Sequence, residues 1–82
     1  MASQALREEI LYFTVQVGSF NKKANALKLC DELVRKGYDA SIVRSQDEES
    51  NKVRVGKLNT REEAEKLAKK LRAEGLPTKV LP

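Results

Sequence analysis

Histidine and tryptophan are absent from this 82-residue sequence, and cysteine occurs once, at Cys30. Without histidine or a second thiol, the usual zinc sites and the serine or cysteine triads of hydrolases cannot be built from this chain alone. Cys30 cannot form an internal disulfide, and its helical spacing from Ala26 and Leu33 predicts a buried, unreactive position. We therefore predict that the protein is not an enzyme and binds no metal or cofactor.

Long apolar runs are also absent. None approaches the ~20 residues needed to cross a bilayer, so we expect no membrane contact. Residues 1–11 (MASQALREEIL) lack the apolar middle of a signal peptide. We interpret residues 1–11 as a linker or extension and residues 12–82 as a single domain.

Charge is unevenly distributed along the chain. The net charge is +4, and because three carboxylates lie together at residues 47–49, the rest of the chain carries +7. A basic excess of this size favours an anionic partner, and a charged fraction of 34% is equally typical of solvated helices. Composition alone leaves both interpretations open.

An internal duplication organises the sequence. Residues 15–43 align without a gap with residues 53–81, 38 positions later, and nine of the 29 aligned pairs are identical. Chance would give about two on usual residue frequencies. The duplication predicts the same succession of elements in both halves. The identical pairs are Val15/Val53, Val17/Val55, Gly18/Gly56, Asn21/Asn59, Ala26/Ala64, Lys28/Lys66, Leu29/Leu67, Leu33/Leu71 and Gly37/Gly75.

Each half reads as strand, helix, strand. Alternating or apolar runs predict the strands, and apolar residues at three-to-four spacing predict the helices. Thr60 with Glu63 forms a capping box, and Gly37 and Gly75 supply helix stops. Glycines at 18 and 56 are interpreted as tight strand-to-helix turns rather than anion sites. The predicted strands cover residues 12–17, 39–44, 51–55 and 78–81, and the helices cover 22–36 and 60–74.

The order βαββαβ predicts an α+β, ferredoxin-like sandwich. Its four-stranded antiparallel sheet has the spatial order 4-1-3-2, and both helices lie on one face. A parallel sheet is disfavoured because residues 45–50 are too few for the crossover that parallel neighbours need. We predict that this polar segment forms a solvated, mobile hairpin loop.

The alternation along the strands predicts which side chains face the helices. The other face is left open, with Gln16, Lys52 and Arg54 at its centre. Such a face could bind an extended polymer or could be an ordinary solvated sheet. The predicted helix-facing residues are Phe13, Val15, Val17, Ala40, Ile42, Val53, Val55, Thr78 and Val80, and the outer ones include Tyr12, Thr14, Ser41, Val43, Lys79 and Leu81.

Three strings in the sequence resemble the SPOR (sporulation-related repeat) domain. They are VQVGSF at 15–20, a helix ending in KGY at 36–38, and VRVG at 53–56, and the resemblance extends over about residues 12–81. It implies the βαββαβ fold and a non-catalytic module that binds peptidoglycan, preferring glycan strands without stem peptides. It further implies part of a larger exported protein of the bacterial cell envelope, periplasmic or extracellular, acting in division, sporulation or wall remodelling.

The resemblance also implies a glycan site. The family's glycan-contacting positions match Gln16, Ser19 and Lys52 here, and the face geometry adds Arg54, with Tyr12 and Thr14 as neighbours on the first strand. The amide and hydroxyl groups suit sugar hydroxyls and acetamido groups. Lactyl carboxylates freed of peptide could pair with Lys52 or Arg54.

Two departures from the family pattern concern affinity. Many members carry an aromatic residue at or just before the third strand, where this chain has Ser50 and Asn51, and the family arginine is replaced by Lys52. Lysine lacks the bidentate fork of arginine. We therefore hypothesise a weaker glycan affinity than that of a tryptophan-bearing member.

Two other functions use the same topology. RNA-recognition modules stack bases on aromatic residues of the first and third strands, and the third strand here, NKVRVG, has none. We therefore expect no nucleic-acid partner. A protein-interaction domain that docks a partner on the sheet face or a basic helix is the other alternative. We expect the domain to be monomeric.

Overall fold

A computed structural model describes residues 12–44 and 49–82 of the chain. The four strands form one antiparallel sheet in the order β2-β3-β1-β4, which is the predicted order 4-1-3-2, so the fold prediction is confirmed. The expectations for residues 1–11 and for 45–48 of the loop fall outside the described residues. The elements are β1 (Phe13–Phe20), α1 (Lys23–Arg35), β2 (Ala40–Arg44), β3 (Asn51–Leu58), α2 (Arg61–Ala73) and β4 (Lys79–Leu81).

The core lies between one face of the sheet and both helices. Its strand residues are four valines that belong to two identical pairs of the duplication, and its helix residues come from one stripe on each helix. Burying such apolar side chains is the main driving force for folding. Cys30 packs against this core but is half-buried rather than buried, and burial, followed by the charge of Asp31, raises the pKa of its thiol. The buried apolar residues are Val15, Val17, Val53, Val55, Ala26, Leu33, Ala64, Ala68 and Leu71.

The two helices begin differently and end alike. The Thr60 hydroxyl accepts a hydrogen bond from the Glu63 N–H at 3.2 Å, whereas the equivalent N-cap of α1, Lys22, makes no side-chain bond. Both helices end in a Schellman motif, in which the second residue past the cap donates its N–H to the carbonyl five residues back. The predicted stops Gly37 and Gly75 have φ of 94° and 89°. Neither α1 nor α2, the helices of the described chain, has the length and apolar character of a membrane span.

β1 and β3 do not end at their glycines, contrary to the sequence prediction. Both strands continue two residues further, to Phe20 and Leu58, because each glycine lies in a β-bulge and not in a strand-to-helix turn. A bulge places two residues of one strand opposite one residue of its partner and shifts the alternation of side chains beyond it. These two bulges determine which residues reach the open face.

Candidate functional site on the open face of the sheet

A row of four polar side chains crosses the whole sheet. Gln16 on β1 pairs with Arg54 on β3, Arg54 pairs with Ser41 on β2, and Gln16 pairs with Lys79 on β4. Directly opposed residues of neighbouring strands share a face. The row therefore runs Ser41, Arg54, Gln16, Lys79 from one edge of the sheet to the other.

The row also marks the relation between the two repeats. Gln16 and Arg54 are equivalent positions, 38 residues apart, and so are Ser41 and Lys79. Because equivalent residues face each other across the β1–β3 ladder, an approximate two-fold axis passes between Gln16 and Arg54. The duplication has thus placed two copies of each position on a common surface.

A bulge brings Ser19 to this surface. Strict alternation from Val15 and Val17 would point Ser19 towards the helices. However, Gln16 opposes Arg54 while Gly18 opposes Val53, so Val17 has no partner and the alternation shifts by one residue. Ser19 consequently pairs with Lys52, and Lys52 pairs with Val43 on β2. A second row, Val43, Lys52, Ser19, lies beside the first.

Gly18 is required by packing at this bulge. A Cβ atom on Gly18 would lie 2.8 Å from Cε2 of the Phe20 ring and 3.4 Å from Cδ2 of Leu29. The absence of a side chain lets Phe20 fold back over the strand. The glycine therefore shapes the approach to Ser19. Packing against Phe20 and Leu29 explains its presence, so no anion-binding role is needed.

The second bulge brings Lys57 to the same surface. Val15 opposes Val55 and Phe13 opposes Leu58, so Gly56 and Lys57 together oppose Thr14. Gly56 has φ of 82°, a left-handed conformation that other residues rarely adopt. Lys57 is exposed and lines the open face, although alternation along β3 would turn it inwards. It is the repeat equivalent of Ser19, and the repeated glycine before it was the available signal in the sequence.

Two shallow hollows lie on the open face. One has a volume of about 350 Å³ and the other of about 380 Å³, and Thr14, Arg54 and Lys57 line both. Tyr12 and Pro82 complete the second hollow. The first also includes Asp39, Ser41, Val43 and Gly56.

All six predicted site residues lie on this one face. Tyr12 and Ser19 are exposed, and the other four are half-buried. They form two groups: Ser19 with Lys52 at one end of β1, and Tyr12 with Thr14 and Arg54 at the other. Gln16 lies between the groups. Ser41 and Lys79 were predicted on this face but not in the site, and Lys57 was predicted in neither.

Asn51 does not belong to the open face. It is 3% exposed, and its amide nitrogen donates to the carbonyl oxygens of Phe20 at 3.2 Å and Asn21 at 3.5 Å. The side chain fixes the connection between β1 and α1. An aromatic residue at this position would therefore point into the core, whereas alternation continued back from Lys52 predicts that Ser50 lies on the side of the open face.

A third groove adjoins the candidate site at one residue. It has a volume of about 510 Å³, runs between the end of β1, α1 and the segment before β4, and is mostly apolar. Ser19 is the one predicted site residue among its lining residues. Leu29, Phe20 and Leu76 form its apolar walls.

The chemistry of the open face is that of binding. Lysine and arginine side chains, hydroxyls and one amide offer donors to hydroxyl, carbonyl and carboxylate oxygens. Among residues 12–44 and 49–82, no group of three or more Asp, Glu or Cys side chains could hold a metal ion. The polar groups of the open face are Thr14, Gln16, Ser19, Ser41, Lys52, Arg54, Lys57 and Lys79.

Comparisons with known proteins give two matches. The family model of the SPOR domain matches residues 12–81. Among solved structures, the chain is similar to the solution structure of the peptidoglycan binding domain of the B. subtilis cell wall lytic enzyme CwlC, with 28% sequence identity and a TM-score of 0.74. The match covers 85% of this chain and 86% of that chain. A search of curated proteins gave no significant match.

Proposed function

Because this chain belongs to the SPOR domain family, we propose that it is a non-catalytic peptidoglycan-binding module whose open face seats glycan strands without stem peptides. In this proposal it acts as a monomer in the bacterial cell envelope, periplasmic or extracellular, within a larger exported protein. Its task is to bring that protein to sites of division or wall remodelling.

The observation that carries the proposal is the polar row across the sheet. Ser41, Arg54, Gln16 and Lys79 form an unbroken line of hydrogen-bond donors that reaches from edge strand to edge strand. A polysaccharide presents hydroxyl and acetamido groups at regular intervals along an extended chain, and such a line can bond to them. A stem peptide on the sugar would keep the polymer from lying flat against the sheet.

The same face disfavours the nucleic-acid alternative. The central positions of β1 and β3 on the open face are Thr14, Gln16, Lys52 and Arg54, and none of them is aromatic. Single-stranded RNA is held on sheets of this topology by stacking on aromatic residues of these strands. Polar hydrogen-bonding groups suit a sugar chain better than a stack of bases.

A sedimentation assay tests the proposal. Sacculi treated with an amidase, which removes stem peptides, should retain the domain strongly, and untreated sacculi should retain it weakly. A Gln16→Ala/Lys52→Ala double variant should lose most of the retention on treated sacculi. A Lys69→Ala variant, which removes one exposed cation from the helix layer, should keep it. Equal retention on both kinds of sacculi would contradict the preference for peptide-free strands.

The assay needs a check on folding. Gln16 and Lys52 are half-buried and lie on the outer face, so their loss should change the melting temperature little. Loss of retention with an unchanged melting curve assigns the effect to binding. Unaltered retention by the double variant would reject this seat for the glycan.

A further inference from the structure

We infer that Arg54 and Lys57 form a carboxylate-binding subsite at the Tyr12 end of the open face, and that this subsite selects the free lactyl carboxylates of peptide-free glycan. The inference rests on the proposed function and deepens it. When an amidase hydrolyses the amide bond to the stem peptide, the lactyl group keeps a negatively charged carboxylate. In this subsite Lys57 is the cation that binds the carboxylate together with Arg54. The sequence had suggested Lys52 or Arg54 as the partner of the carboxylate.

The two cations lie together on the open face. Arg54 and Lys57 line both hollows of the open face. The bulge at Gly56 turns Lys57 outwards, so two positive side chains line the same two hollows. Without that bulge, alternation along β3 would place only Arg54 there.

These two cations lack ion-pair partners within the described part of the chain. Neither Arg54 nor Lys57 forms a salt bridge among residues 12–44 and 49–82. The Nε atom of Arg54 is buried and has no hydrogen-bond partner among those residues. A buried donor that lacks an acceptor is costly. No described residue therefore holds the Arg54 head group in place, and a carboxylate at its terminal nitrogens would displace no protein acceptor.

The two hollows differ in the charge of the residues that line them. Asp39 lines the hollow of about 350 Å³ and would repel an anion. Among the described residues, those that line the hollow of about 380 Å³ are Tyr12, Thr14, Arg54, Lys57 and Pro82, and none of them has an acidic side chain. The guanidinium can bind a carboxylate with two parallel hydrogen bonds, and the Lys57 ammonium adds a point charge. Tyr12, which is 39% exposed, offers its ring to the adjoining sugar.

Binding measurements on two soluble polymers test the subsite. The first polymer is amidase-treated, solubilised glycan, and the second is the same glycan after its lactyl carboxylates have been converted to neutral amides with methylamine. The wild-type domain should bind the first roughly tenfold more tightly, as expected for charge-assisted hydrogen bonds. Lys57→Gln should lose most of this difference through weaker binding of the first polymer alone. Lys57→Arg should restore it, and Lys69→Gln should leave it unchanged.

The outcomes separate the subsite from the proposed function. Equal wild-type affinity for the two polymers would overturn the subsite and leave glycan binding standing. A Lys57→Gln variant that keeps the full difference, or that loses affinity for both polymers equally, would also overturn it. Absence of wild-type binding to either polymer would reject the proposed function and the subsite together.

Discussion

Lys36 and Glu74 occupy equivalent positions of the two repeats, 38 residues apart, and the Lys36 ammonium donates to the Glu74 carboxylate at 2.6 Å. The other carboxylate oxygen accepts a hydrogen bond from the Tyr38 hydroxyl at 3.0 Å. Lys36 caps α1 and Glu74 caps α2, so this contact joins the ends of the two helices. Identical charges at these positions would have repelled each other, and divergence of the repeats has made the contact attractive.

Glu74→Gln tests this contact through its pH dependence. Hydrogen bonds from Lys36 and then Tyr38 lower the pKa of the Glu74 carboxyl from its ordinary value of 4.5. A lowered carboxyl pKa contributes stability that is present above the unfolded-state value and is lost as the pH falls through the folded-state value. The wild type should therefore melt higher than Glu74→Gln at neutral pH, and this advantage should shrink in acid.

At alkaline pH the stabilising contribution of the contact is lost as the pH rises, not as it falls. The hydrogen bond to Glu74 raises the pKa of Lys36 from 10.5, so the contribution of Lys36 is present below that value and is lost as the pH rises further. Thermal melts from acidic to alkaline pH should show a difference in melting temperature between the wild type and Glu74→Gln that is constant around neutral pH and shrinks at both ends. A difference that does not change between neutral and acidic pH would show that the contact contributes no pH-dependent stability.

Thr60 and Lys22 allow a comparison of equivalent helix caps. Removal of the Thr60 hydroxyl in Thr60→Ala should destabilise the domain by about 0.5–2 kcal/mol, because the Glu63 N–H loses its acceptor. Lys22→Thr should raise the stability, since α1 has no side-chain cap and gains one. Chemical denaturation of both variants measures the two effects. Destabilisation by Lys22→Thr would mean that α1 cannot accept a cap of this geometry.

Leu33 and Leu71 are the largest fully buried helix residues, at 1% and 0% exposure. Leu33→Ala or Leu71→Ala should each cost about 2–5 kcal/mol, because the rigid sheet cannot close around the cavity. Leu29→Ala should cost less, since Leu29 is half-buried and borders the open apolar groove. Urea denaturation gives the comparison. If Leu29→Ala were the most destabilising of the three, the assigned helix faces would be wrong.

Alternation and duplication together were enough to predict the sheet order and the helix-facing valines. Each of these is a regular pattern: a period of two along a strand and a repeat of 38 residues. The confirmed outer row of Gln16 and Arg54 follows from the same regularity. A regular pattern cannot predict where the regularity is interrupted.

The bulges are such interruptions, and they explain the remaining differences. One unpaired residue, Val17, exchanges the faces of all later residues on β1, and the pairing at Gly56 does the same for Lys57. A glycine in a strand signals a bulge or a turn equally well. The sequence therefore could not distinguish them. Ser19 was assigned to the site by family resemblance, and Lys57, which has no such support, was not included.

Asn51 provides a test of a buried polar group. Its side chain satisfies two carbonyl oxygens between β1 and α1, at Phe20 and Asn21. Asn51→Ala should destabilise the domain by about 1–3 kcal/mol, because these partly buried carbonyl oxygens lose their donor. Denaturation measures the loss, and Ser50→Ala serves as the neighbouring control with little expected effect. Equal stability of the wild type and Asn51→Ala would mean that water replaces the amide without cost.

Ser50→Trp should strengthen binding to peptide-free glycan. Ser50 immediately precedes β3. Alternation continued back from Lys52 predicts that its side chain lies on the side of the open face, where an indole ring could stack on a sugar beside Lys52. Stacking adds apolar contact that the present polar surface lacks, and an aromatic ring of this kind is worth about 0.5–1.5 kcal/mol in pairs with other rings. We expect an increase in affinity of a few fold on amidase-treated, solubilised glycan, measured by titration.

The matched variant is Asn51→Trp, one residue further along the chain. Because Asn51 points into the protein and is 3% exposed, tryptophan there should destabilise the fold without improving binding. The pair therefore separates an effect of the open face from a general effect of added apolar surface. If Ser50→Trp bound no more tightly than the wild type while remaining folded, the polymer would have to lie elsewhere on the sheet, nearer Gln16 and Tyr12 than the start of β3.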